Sequence, residues 1–194
     1  MSTLTILIIR HGEKPGEGLP GPGNAEDGSP DEHSLIIRGW QRAGAWAALF
    51  ASGAFGPDYP KPDVVYATDP TKAAPEDGKK SSRPWETILP TCARLHVNPT
   101  TRYGVGDEDA LVDEVSKLTG VVLVAWEHKN IISGILPRLA GAQVIPHLPT
   151  KWKGSRFDVV LRFDRSQQGS QWSFRQLFPM LLSCDSDVPL KDQD

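Results

Sequence analysis

The sequence predicts an α/β fold: a three-layer α/β/α sandwich with a mostly parallel sheet and an antiparallel hairpin at its C-terminal edge. Three observations lead there. Short, largely apolar runs recur at Leu4–Ile9, Asp63–Ala67 and Val121–Trp126, each of strand length and rich in β-branched residues. Segments with helical spacing separate them, and strands alternating with helices imply a parallel sheet covered on both faces. The runs Phe157–Phe163 and Trp172–Leu177, joined by the polar turn Asp164–Gln171, read as the hairpin. A length of 194 residues favours a single domain, residues 1–194.

Taken in order, Leu4–Ile9 is the first buried strand, and it ends on Arg10-His11-Gly12-Glu13. The stretch Lys14–His33 is dense in Gly and Pro and has no periodicity, so it is expected to be a long loop, functional or mobile. Helical pattern starts near Arg38, with Trp40, Ala43, Ala47 and Phe50 on one face, and Pro57, Pro60 and Pro62 are expected to end it. The strand Asp63–Ala67 leads into a polar loop, Thr68–Ser82, carrying Lys72, Lys79 and Lys80. A helix from about Ser82 puts Trp85, Ile88, Leu89, Cys92 and Leu95 inward, and Pro90 predicts a kink or break in it. Asp107 is a fitting N-cap for a helix with Leu111, Val112, Val115 and Leu118 inward, closed by Gly120. After the strand Val121–Trp126, Asn130 is expected to cap a helix running towards Leu139.

Composition narrows the function. Hydrophobic content of 39% and charged content of 23% are those of an ordinary globule, and a net charge of −3 argues against a general nucleic-acid or anionic-membrane surface. Any affinity for anions must be local. Cys92 and Cys184 have no metal-ligand spacing, no apolar run approaches membrane length, and no leader precedes the first strand, so a cytoplasmic chain is expected. Oligomeric state is not readable.

The chemistry concentrates at strand ends. A buried strand stopping on Arg10-His11-Gly12 sets a permanent cation and an imidazole at its carboxyl end, the edge where open α/β sheets bind ligands. Gly12 lets a backbone or ligand come close, and a guanidinium fork matches phosphate oxygens. The second strand leads through its loop to Arg83, and the third delivers Glu127 and His128. In a parallel sheet these ends share one edge, so two histidines and two arginines can converge.

On these residues the chain resembles the histidine phosphatase superfamily, the phosphoglycerate mutase-like group. The resemblance rests on Leu7-Ile8-Ile9-Arg10-His11-Gly12-Glu13, on Leu35–Gln41 with Gly39 and Gln41, on Ser82-Arg83-Pro84-Trp85-Glu86-Thr87, and on Val121–Trp126 followed by His128. It implies a cofactor-independent phosphomonoesterase acting on a small phosphorylated substrate. His11 would be the nucleophile that becomes phosphohistidine, and Arg10, Arg83 and His128, with Gly12 beside them, would form the phosphate pocket. Phosphoryl transfer asks chiefly for in-line positioning and charge stabilisation, which such a set supplies.

Some positions depart from the family pattern. Ile36 stands where a small hydroxyl residue is usual, Glu127 where many members have glycine, and Lys129 where the acid-phosphatase branch has an acid. The proton donor stays open: Glu108 is preferred, at a helix start after Gly104–Gly106, with Asp109 and Glu127 competing and Glu13 further back. His33, His96 and His147 lack any motif context. Three other functions stay in play: a mutase, a phospho-ligand binding protein without turnover, and a metal hydrolase using His11, Glu13 and His128. No short metal-ligand spacing supports the last, so no metal is expected.

Overall fold

The computed structural model describes residues 3–16, 18–73, 78, 80 and 82–191. Its centre is a mixed five-stranded sheet with strands β1 (Leu4–Arg10), β2 (Val64–Ala67), β3 (Gly120–Trp126), β4 (Val160–Arg165) and β5 (Ser173–Leu177), in the order β2-β3-β1-β4-β5. β1 and β2 both pair in parallel with β3, while β4 runs antiparallel to β1 and β5 antiparallel to β4. β1 therefore has a strand on each side, and both of its faces lie in hydrophobic cores, which is why Leu4–Ile9 carries no exposed polar position. The register sets Arg10 opposite Trp126 and Ala67 opposite Ala125, so the carboxyl ends of the three parallel strands share one edge.

The period of two in β1 divides the core. Leu4, Ile6 and Ile8 pack with Leu111, Val115, Ile131 and Leu139 on one face, whereas Leu7 and Ile9 pack with Trp46, Phe50, Ile88 and Cys92 on the other. The second face is covered by α1 (Ile37–Ser52) and α2 (Arg83–Leu95). The first is covered by α3 (Glu108–Val115), α4 (His128–Asn130), a π-helical turn Ile131–Ile135 and α5 (Leu136–Ala140). No helix among the described residues is long and apolar enough to cross a membrane.

Several boundaries differ from the sequence expectation. α1 stops at Ser52 because Gly53 takes the left-handed conformation, φ 68°, ahead of the prolines thought to end it. α2 runs through Pro90 as one helix; only the bond that its missing N–H would make to the Glu86 carbonyl is forfeited. α3 ends at Val115, and Gly120 opens β3 instead of closing the helix. Asp107 occupies the N-cap position without capping: its side chain accepts from the Gly104 N–H and pairs with Lys72. The cap before His128 is Glu127, whose Oε2 accepts from the N–H groups of Lys129 (2.6 Å) and Asn130 (3.0 Å), while Asn130 precedes the π-helical turn without a side-chain cap bond.

The Lys14–His33 stretch is irregular but tied down. Asn24 N–H donates to the Leu35 carbonyl, Asp31 N–H to that of Gly23, and Trp40 Nε1 to that of Asn24. Of the three lysines in the following loop, Lys79 lies outside the described residues, Lys80 is exposed, and Lys72 is paired with Asp107.

Candidate functional site

β1 delivers His11 and β3 anchors it: the His11 N–H donates to the Trp126 carbonyl at 3.1 Å. The loop then turns under tight constraint. Gly12 N–H donates to Thr87 Oγ1 at 2.7 Å, and that hydroxyl donates to the Arg83 carbonyl at 2.7 Å, tying the loop of His11 to the start of α2. A Cβ on Gly12 would lie 2.9 Å from the Gly39 carbonyl oxygen, and one on Gly39 would lie 2.3 Å from that of Glu13. Here is the physical content of Gly39 in the sequence pattern: the first turn of α1 presses on the loop that bears His11. Gly39→Ala is expected to lower stability by about 1–3 kcal/mol, the usual range for overpacking, as a lower melting temperature that checks it. Gln41, quoted in the same pattern, is exposed.

His11 is buried, and its Nδ1 lies 2.7 Å from the Gly12 carbonyl oxygen. A carbonyl can only accept, so Nδ1 carries the proton and Nε2 holds the lone pair. Burial lowers the His11 pKa well below its ordinary 6.5, and the charges of Arg10, Arg83 and His128 push the same way against the opposing Gly12 hydrogen bond. The ring is therefore neutral at pH 7, with its lone pair on Nε2.

Arg10 is fully buried, with its guanidinium carbon 3.9 Å from the centroid of Phe157. Its Nη1 donates to the carbonyls of Lys153 (3.2 Å), Gly154 (2.6 Å) and Arg156 (2.8 Å), so it holds that turn as well as charging the site. Phe157 also meets the edge of His11, with ring centroids 6.0 Å apart. Arg83 is half-buried, and its Nη2 donates to the Glu32 carbonyl at 2.7 Å. The platform under it is set by Glu86, whose buried carboxylate accepts from Ser34 Oγ (2.5 Å), Ser82 Oγ (3.0 Å) and Leu35 N–H (2.9 Å). His128 is buried with its ring centroid 6.3 Å from that of His11.

The structure sorts the four carboxylates. Glu13 is buried against Arg42, with Nε at 3.0 Å from both oxygens and Nη2 at 2.8 Å from one, and Arg38 Nε lies 3.3 Å away. Its oxygens are taken up by these two guanidinium groups. Asp109 is exposed on α3. Glu127 has one oxygen in the helix cap and the other 2.7 Å from His128 Nδ1, off the axis of a well-formed hydrogen bond. Burial resists its ionisation, but His128 and the two N–H groups outweigh that, and its pKa falls below the ordinary carboxyl value. Glu108 is buried and differently placed: Oε1 accepts from Trp126 Nε1 at 2.9 Å, and the Gly106 N–H lies 3.0 Å from both oxygens.

His11, Glu127 and His128 bring potential ligand atoms within 4.8 Å of one another. This set differs from the one the sequence suggested, since Glu13 is taken up by Arg42 and Glu127 stands in its place. The two guanidinium charges that disfavour a proton on His11 also disfavour a dication there. Sequence patterns missed Glu127 as a cap, Trp126 as the donor to Glu108, and the Arg42 partnership; only the unusual acid before Lys129 and Asn130 hinted at the first.

No protein-family model and no curated protein matches the chain. A solved structure named "Mycobacterial hydrolase 2" aligns with 100% of this chain and 94% of its own, at 15% identity and a TM-score of 0.49. A likeness of that size assigns no activity.

Proposed function

We propose that the chain is a cofactor-independent phosphomonoester hydrolase that acts through phosphohistidine on a small phosphorylated substrate. One observation carries this reading: a buried imidazole, neutral at pH 7 and with Nε2 as its free nitrogen, sits within the charge of two arginines and a second histidine, in a chain whose net charge is −3. Local positive charge of that kind selects an anion, and fixed positive charge beside a neutral nucleophile is what phosphoryl transfer requires.

In the first step His11 Nε2 attacks phosphorus, a P–N bond forms, and the ester P–O bond breaks with its electron pair going to the leaving oxygen. Glu108 gives that oxygen a proton. In the second step water attacks phosphorus, Glu108 takes a proton from it, and His11 leaves as the neutral ring. Arg10, Arg83 and His128 balance charge on the phosphoryl oxygens, and Gly12 leaves room for the group. Glu127 holds His128 at the head of α4. A single domain spanning 1–194, with helices in layers on both sides of the sheet and β4–β5 as its edge hairpin, is the fold this reading implies.

The test is to quench the protein during turnover of a labelled aryl phosphate in the presence of a chelator. Acid-labile, base-stable label on His11, absent from His11→Ala, is expected. Hydrolysis without histidine labelling overturns the proposal, and loss of turnover with the chelator favours the set His11, Glu127 and His128 as metal ligands. Tight vanadate binding with no hydrolysis across a panel of phosphoesters indicates a binding protein. Label passing from one phosphoglycerate isomer to another indicates a mutase.

A further inference from the structure

Glu108 sits against a place where the helix after His128 carries no side chain. Gly134 lies in the π-helical turn Ile131–Ile135, and a Cβ built on it would fall 2.9 Å from both Cβ and Cγ of Glu108 and 3.5 Å from its carboxyl carbon. The two nearer atoms are at the root of the side chain. Cβ cannot swing away by rotating about χ1, so a methyl group at 134 must displace α3 or the π turn. Gly134 has no left-handed φ that would require glycine. On propensity alone alanine is the better residue inside a helix, so the glycine is explained by the contact.

The other side of Glu108 is equally determined. Trp126, fully buried at the end of β3, donates Nε1–H to Oε1, and Gly106 N–H closes the third side. Trp126 also pairs in register with Arg10, and its carbonyl accepts the His11 N–H. One residue therefore fixes both the nucleophile's backbone and the carboxylate's orientation. The π-helical turn that follows α4 brings Gly134 against Cβ and Cγ of Glu108.

We propose that Gly134 and Trp126 are positioning residues for Glu108, forming a slot that holds its carboxyl group in line with the leaving oxygen. This rests on the reading of Glu108 as proton donor. The slot fixes the group's place: Trp126 Nε1 donates to Oε1, the Gly106 N–H lies 3.0 Å from both oxygens, and Gly134 admits the root of the side chain. A donor displaced by one methyl group fails most for substrates whose leaving oxygen needs a proton most.

The experiment compares the parent, Gly134→Ala and Trp126→Phe on phosphoesters of graded leaving-group acidity, from 2,4-dinitrophenyl through phenyl to alkyl phosphate, with folding checked by near-UV circular dichroism. Each variant is expected to turn over the dinitrophenyl ester within about threefold of the parent and the alkyl ester tenfold or more slowly, with KM little changed. Trp126→Phe removes the donor without adding a clash, so it carries the test if Gly134→Ala does not fold. A parent that never labels on His11 overturns the phosphohistidine reading. A labelling parent whose folded variants lose all esters equally, or lose none, overturns the slot alone, and failure of both variants to fold overturns it in favour of a purely structural contact.

Discussion

His11→Ala is expected to lower kcat for any phosphomonoester by about 10⁴-fold or more, the scale of losing a nucleophile from a site that otherwise still binds. The fold should survive it. His11 makes one side-chain hydrogen bond, to its own neighbour's carbonyl, and two edge contacts with aromatic rings. Steady-state turnover beside a thermal melt separates the two effects: a parent-like melt with turnover gone is the expected pair, and parent-like turnover sinks the role. The ring's protonation gives a second readout. Burial first, then Arg10, Arg83 and His128, lower its pKa, so in ring NMR the His11 signal should keep its neutral position at pH values where an exposed imidazole has titrated. The sign for stability follows. The unfolded chain binds this proton near 6.5 and the folded chain only at lower pH, so stability is full above about 6.5 and falls as pH drops towards the folded value. His11→Ala should flatten that part of the pH–stability curve.

The parallel half of the sheet was legible in the sequence because each buried strand is a contiguous run, and contiguity needs no knowledge of partners. Leu4–Ile9 and Val121–Trp126 gave strands within one residue of those formed. His11, Arg10 and His128 were legible in position for the same reason: each lies within two residues of the end of such a run, so strand direction alone places it on the shared edge. What composition could not carry was any relation set by side-chain reach. Glu127 serves as a cap although short hydroxyl and Asp/Asn residues are the usual choice there. Gly39 and Gly134 gain their meaning from elements far away in sequence, Glu13 and Glu108. The four carboxylates offered as proton donors looked alike as letters. Their differences lie in partners: two guanidinium groups for Glu13, solvent for Asp109, a helix cap for Glu127, and an indole N–H for Glu108.

Arg42→Ala is expected to cost about 3–5 kcal/mol, the usual penalty for stripping one partner from a buried ion pair. The side chains of Arg42, Glu13 and Asp185 are each only 2% exposed. Arg42 Nη2 and Nη1 reach Asp185 at 2.7 and 3.1 Å while Nε and Nη2 hold Glu13, so one guanidinium bridges two carboxylates, with Arg38 the second cation at Glu13. Asp185 Oδ2 also accepts from the N–H groups of Leu181 and Leu182, which ties the C-terminal segment to α1 and, through Glu13, to the loop of His11. Removing the cation takes the guanidinium away from the buried Asp185 carboxylate and leaves Glu13 with Arg38. Arg42→Lys should recover only part of the loss, because a single ammonium lacks the fork that spans both partners. Acid gives the diagnostic sign. Burial opposes ionisation of Asp185, yet Arg42 and the Leu181 and Leu182 N–H groups hold its pKa below 3.8, so in the parent its contribution is present above the unfolded value and is lost as pH falls through the folded one. In Arg42→Ala the buried Asp185 carboxyl group, no longer held down by the guanidinium, is relieved by protonation. Urea denaturation at pH 7 and near pH 4 should therefore show the gap between parent and variant narrowing on acidification, and a gap that stays constant or widens would show that the charges are not what Arg42 holds in place.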